Sequence, residues 1–117
     1  MRKAVNYSIG FSDGEIYSYQ YKEGSFIVFV KMWNGIKVRI KFSEVLGVCD
    51  FGVGDISAFV DDDNTLFLKS ILKRNYAIVP ISTPYRAFQF LNLDDEPALE
   101  VVAVDYAIME EPMNIID

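Results

Sequence analysis

Residues 15–42 read EIYSYQYKEGSFIVFVKMWNGIKVRIKF, and how this stretch pairs with itself decides the fold. Asn34-Gly35 stands between two alternating runs, a strong hairpin signal because a type I′ turn needs φ > 0 at both central positions. A two-residue loop there predicts that Trp33 faces Ile36, Phe29 faces Ile40 and Ile27 faces Phe42, all apolar and all on one face. A slip of one residue would destroy that match. Upstream, Lys22-Glu23-Gly24 reads as a three-residue loop with Gly24 in the left-handed conformation. It pairs Tyr21 with Ser25, Tyr19 with Ile27 and Tyr17 with Phe29, so Tyr17 and Tyr19 join the same expected core face.

The other face of this meander then carries Phe26, Val28, Val30 and Met32, flanked by Lys37, Arg39 and Lys41 on one side and by Ser18 and Gln20 on the other. An exposed apolar row of that kind rarely stays bare in a soluble protein, which makes it a candidate homo-oligomer face.

Before the meander, Val5, Tyr7, Ile9 and Phe11 alternate with small or polar residues and predict a strand that ends at Ser12-Asp13-Gly14. After it, Gly47, Gly52 and Gly54 exclude a helix, so residues 43–60 read as a loop with one short strand around Ile56–Val60. Asp61-Asp62-Asp63-Asn64 then places acidic side chains where a helix presents unpaired N–H groups and its positive dipole end. Leu68, Ile71, Leu72 and Tyr76 recur at helical spacing, with Lys69, Lys73 and Arg74 on the other face, predicting a helix over about residues 64–76. Pro80 and Pro84 keep the next stretch extended. Tyr85–Leu93 and Ala98–Ile108 form a last hairpin around Asp94-Asp95-Glu96-Pro97, apolar on both faces (Phe88, Phe90, Val101, Val102) and therefore central in a sheet. The expected fold is α+β: a mainly antiparallel sheet of about five or six strands, with the helix packed on one face. Residues 1–117 fit one domain, and the tail from about 110 to 117 is expected to be loosely ordered.

Composition bounds the chemistry. The 117 residues contain no histidine, which removes the commonest general base and metal ligand and the usual partner of a serine or cysteine nucleophile. Cys49 is the lone cysteine, so no disulfide framework exists and a reducing, cytoplasmic setting is expected. Arg2 and Lys3 lead into no continuous apolar segment, because Asn6, Ser8 and Ser12 break it, so no signal peptide or membrane span is expected. The net charge of −6 is divided unevenly: residues 1–42 hold seven basic and three acidic side chains, and residues 43–117 hold four basic and fourteen acidic ones. An acidic field of this kind favours basic partners and repels phosphate backbones.

Individual motifs reduce to plainer readings. Asp61-Asp62-Asp63 fails as a calcium loop, because Leu66 takes the glycine position and Leu72 the glutamate position. Gly47–Gly54 lacks the Gly-Lys-Ser/Thr ending of a phosphate-binding loop. Asp50 and Asp55 read as loop acids, with a carboxylate enzyme at that loop the less favoured alternative, and Cys49 reads as a buried, inert thiol. Lys37, Arg39 and Lys41 beside Phe26 form a basic surface with one stacking aromatic, too little for nucleic-acid recognition against an acidic field. No catalytic residue, cofactor or metal is therefore expected. The sequence points to a non-catalytic module that binds a basic protein partner, an immunity-type inhibitor of a nuclease-like toxin being one concrete form. Its candidate partner surface is Asp61, Asp62, Asp63, Asp94, Asp95 and Glu96 with Trp33 at the hairpin tip; the homo-oligomer is the alternative.

Overall fold

The computed structural model describes residues 2–111. In chain order the elements are β1 (Lys3–Ala4), β2 (Gly14–Lys22), β3 (Ser25–Lys31), β4 (Lys37–Ser43), β5 (Gly47–Asp50), β6 (Asp55–Ile56), β7 (Ala58–Asp62), α1 (Leu66–Asn75), β8 (Arg86–Leu91), β9 (Pro97–Ala103) and β10 (Asp105–Glu110). The fold is α+β. The strands divide into two antiparallel five-stranded sheets, a helix-side sheet ordered β1-β7-β8-β9-β5 and a meander sheet ordered β10-β4-β3-β2-β6. No described helix is long and apolar enough to cross a membrane.

The predicted meander exists, but its two turns exchange types. Lys22 pairs with Ser25 across a two-residue loop in which Glu23 (φ 50°) and Gly24 (φ 77°) are both left-handed, the geometry of a type I′ turn. At the second turn Gly35 alone takes a positive φ (86°). The Gly35 N–H donates to the Met32 carbonyl at 2.9 Å and the Met32 N–H to the Ile36 carbonyl at 2.8 Å, which closes a three-residue loop over Trp33, Asn34 and Gly35. The predicted pairing is thereby shifted by one residue: Val28 faces Ile40, Phe26 faces Phe42 and Val30 faces Val38, while Phe29 faces Arg39. Between β2 and β3, Tyr17 is an extra residue between the pairs Ile16–Val30 and Ser18–Phe29. Such a bulge bends the strand and adds twist.

One residue of slip reverses the faces of β3. Phe26, Val28, Val30 and Met32, the expected exposed oligomer row, are at most 2% exposed and form the middle of the core. They cannot serve as an oligomer face. Conversely Trp33 (65% exposed), Tyr17 (43%) and Tyr19 (38%), expected on the core face, lie open. Ile40 and Phe42 are buried as expected.

The interior lies between the sheets. Phe26, Val28, Val30, Val38, Ile40 and Phe42 of the meander sheet pack against Phe59, Phe88, Phe90, Leu99, Val101 and Ala103 of the helix-side sheet. Phe42 is the hub, with the rings of Phe26, Phe59, Phe88, Phe90 and Tyr106 all centred 5.5–6.4 Å away. A second, smaller cluster forms where α1 covers the outer face of the helix-side sheet: Leu68 and Leu72 meet Ala87 and Val102, with Phe67, Ile71 and Tyr76 around them. That contact explains why β8 and β9 are apolar on both faces.

Other expectations shift at their edges. Only Lys3–Ala4 of the N-terminal stretch is strand, although Val5, Tyr7, Ile9 and Phe11 do pack against the core. The 43–60 region contains three strands, with β6 in the meander sheet and β5 and β7 in the helix-side sheet. Asp61 and Asp62 end β7, and the helix is capped by Thr65, whose hydroxyl accepts from the Leu68 N–H at 3.0 Å. The predicted long strand Ala98–Ile108 breaks at Val104 and changes sheets, so its second part becomes β10. Of the tail expected to be loose, Glu110 ends β10, and residues 112–117 fall outside the described part.

Candidate functional site

The strand directions decide which charged groups share a surface. Glu15 pairs with both Lys31 and Asp55, so the Trp33–Gly35 loop, the Asp13 turn and β6 meet at one end of the molecule. The Asp13 N–H donates to the Ile56 carbonyl at 3.1 Å, and Ser57 then carries the chain into β7. The Ser57 N–H donates to the Leu91 carbonyl and its hydroxyl to Asp95 at 2.8 Å, bringing the β8–β9 turn to the same end. Asp13, Asp55, Asp94, Asp95 and Glu96 therefore lie at the same end of the molecule as Trp33, with Leu93 (63% exposed) as a second open apolar side chain there.

This end is built rigidly. Asn92 organises the turn, its side-chain oxygen accepting from the N–H groups of Asp94 (2.9 Å) and Glu96 (3.1 Å). The Asn92 N–H donates to the Glu96 carbonyl at 2.7 Å, and Asp95 adopts a left-handed φ of 59°. Across from it, the Asn34 side chain accepts from the Ile36 N–H at 3.1 Å and fixes the Trp33 loop. A Ser/Asn/Asp-rich turn organised by its own side chains holds its charges at fixed spacing.

Asp61, Asp62 and Asp63 lie at the far end of β7, so the two expected acidic runs do not form one surface. Asp61 pairs with the Arg86 guanidinium at 2.5 Å. Asp62 accepts from the Asn64 N–H at 2.9 Å, tightening the turn before α1. Beside this turn, Asp63, Leu68, Leu72, Tyr85, Arg86 and residues 79–83 line a cleft of about 360 Å³.

The Asp50–Asp55 idea gains no geometry. Asp50 spends one carboxyl oxygen on the Gly52 N–H (2.8 Å) and the other on the Tyr19 hydroxyl (2.6 Å). That hydrogen bond, then burial, pushes the Tyr19 phenol up. Burial also pushes the Cys49 thiol up, with the charges of Glu100 and Asp50 adding to it. A thiol held protonated is a poor nucleophile. Among the described residues no cluster of three or more acidic or thiol ligands is placed to hold a metal.

The basic face also changes its neighbours. Lys37, Arg39 and Lys41 lie on the outer face of the meander sheet beside Phe29 and Ile27, not beside Phe26. The Tyr17 ring lies tilted beside that of Phe29 (6.1 Å) and under the Lys37 ammonium (5.3 Å), and its hydroxyl donates to Glu111 at 3.0 Å. Burial first, then Glu111, raises the Tyr17 phenol.

A buried polar group that the apolar reading of β8 and β9 passes over is the cross-strand pair Gln89–Glu100, each 3% exposed. The Gln89 amide donates to one Glu100 oxygen at 2.9 Å and the Thr65 hydroxyl to the other at 2.5 Å. The Arg2 guanidinium reaches the Gln89 carbonyl oxygen at 3.4 Å. Thr65 thus caps α1 and ties it to the sheet. The signal was present as one polar residue in the middle of AFQFL and of ALEVV. No family model matches this chain, and no curated protein or solved structure is detectably similar to it.

Proposed function

We propose that this protein is a non-catalytic binding module that docks on a basic protein through the end of the molecule carrying Trp33. The observation that carries this reading is Trp33 itself, 65% exposed on a hydrogen-bonded loop at the end of the molecule that also carries Asp13, Asp55, Asp94, Asp95 and Glu96. An exposed tryptophan on a surface that also carries charge suits docking in which an aromatic anchor supplies much of the binding energy while the charges set partner choice and on-rate. The hydrogen-bonded turns support it further, since loops already ordered lose little freedom on binding. The committed oxygens of Asp50 and the raised Cys49 thiol favour binding over catalysis. An inhibitor that covers the phosphate-binding site of a nuclease-like toxin is one concrete form, because such a site must be basic.

The test is affinity capture from lysate of the source cell, at low and high salt, with the full chain, Trp33→Ala and the triple variant Asp94→Lys/Asp95→Lys/Glu96→Lys. The reading expects a basic partner whose capture falls steeply with salt and is lost in both variants. A partner retained equally by both variants contradicts it.

A further inference from the structure

The molecule has several sheet edges, and they are guarded unequally. Strands β1 and β6 are two residues long and β5 is four, too short to template much pairing. Strand β10 is longer but starts with Asp105 and ends with Glu110, followed by Glu111. Natural sheets blunt their edges in these ways, by brevity and by charge. Strand β2 carries a bulge at Tyr17 and charges at Glu15 and Lys22, but from Ser18 to Tyr21 it has neither brevity nor charge to guard it. It pairs with β6 only at Gly14 and Glu15, and the Ile16 N–H donates to the Gly54 carbonyl at 2.8 Å. From Tyr17 to Lys22 no described strand lies beyond it, and Tyr17–Tyr21 carries no charge.

Which backbone groups face out depends on alternation. Because the Met32 N–H bonds toward β4, even-numbered residues of β3 bond to β4 and odd-numbered ones to β2. Ser18, Gln20 and Lys22, opposite Phe29, Ile27 and Ser25, therefore use their backbone groups inside the sheet. The N–H and C=O groups of Tyr19 and Tyr21 point to the open edge. Their side chains, 38% and 61% exposed, stand on one face of it.

We propose that a second copy of this chain covers that edge, with β2 pairing antiparallel to β2 so that two meander sheets become one. A two-fold axis through Gln20 sets Tyr19 against Tyr21 of the partner subunit on each side of it. That register uses the outward backbone groups of both tyrosines, stops short of the bulge at Tyr17 and sets Lys22 opposite a serine. No like charges meet, and a closed two-fold pair leaves none of this edge free. A copy fits better than an acidic or basic peptide because the edge itself is neutral. Each copy carries −6, so pairing strengthens as salt screens the repulsion. That is the opposite salt dependence to docking on a basic protein through the Trp33 end, and the two ideas fail separately.

The test is sedimentation velocity on the full chain over a range of concentration and salt, with amide hydrogen exchange. The expected result is a dimer favoured by salt, in which the Tyr19 and Tyr21 amides exchange more slowly as concentration rises. The amides of Ser18 and Gln20 should be slow throughout. Tyr21→Lys places a charge on the edge, and Tyr21→Pro removes an outward N–H without taking a bond from β3. Both should be monomeric with unchanged circular dichroism, whereas Trp33→Ala should still dimerise. A chain that stays monomeric at every concentration, a dimer that survives both Tyr21 substitutions, or concentration-independent exchange at Tyr19 and Tyr21 would overturn the proposal. In the monomeric case the edge would be left for a strand of another protein.

Discussion

The outer faces of the two sheets are alike in backbone and opposite in use. On the helix-side sheet, α1 seals Ala87 and Val102 from water, and the Gln89–Glu100 pair beside them is as buried as the core. On the meander sheet the corresponding face is uncovered, and β4 alternates strictly: Lys37, Arg39 and Lys41 outside, Val38, Ile40 and Phe42 inside. The contrast teaches that an apolar residue reports burial only once the cover of its face is known. Val102 is core because a helix lies over it. Ile27, just as apolar, lies on the open face opposite Lys41.

Substitutions sharpen this contrast, beginning with the interior both sheets share. Phe42→Ala removes the hub of the aromatic cluster and should cost about 3–5 kcal/mol of unfolding free energy in a urea titration. Next comes the direct comparison of outer faces. Val102→Thr puts a hydroxyl under the helix and should cost about 1–3 kcal/mol, whereas Ile27→Thr on the open face should stay within about 0.5 kcal/mol. Equal costs would erase the distinction. Thr65→Ala should cost about 1–2 kcal/mol, since it removes the cap of α1 and a donor to buried Glu100. The smallest effect concerns pH. Burial, then the charges of Asp61 and Asp105, raises the Tyr106 phenol. Above the ordinary tyrosine range the unfolded chain ionises first, so stability should fall as pH rises from about 10 through the higher folded value. Tyr106→Phe should flatten that decline in urea midpoints measured at rising pH.

Local chemistry carried much of the fold. The alternation of β4, the helical spacing of Leu68, Ile71, Leu72 and Tyr76, and the two-sided apolar runs of β8 and β9 each assign the right element. The face of β3 was not legible, because SFIVFV is apolar on both sides and only the turn decides its register. Asn34-Gly35 favours a two-residue loop locally. The observed three-residue loop instead buries Met32 (2% exposed) together with Val30, and leaves the larger, amphipathic Trp33 outside. The site was half legible for a related reason. Acidic runs are plain in the sequence, but whether 61–63 or 94–96 shares an end with Trp33 depends on the pairings of β2 with β6 and β7 with β8, which no local pattern encodes.

The register of β3 against β4 underlies the core, the open face and the placement of Trp33, and proton NMR reads it directly. Residues that face each other without exchanging hydrogen bonds bring their Cα atoms to about 4.5 Å. The structure predicts strong Hα–Hα cross-peaks between Phe29 and Arg39 and between Ile27 and Lys41. Cross-peaks placing Phe29 opposite Ile40 would contradict it.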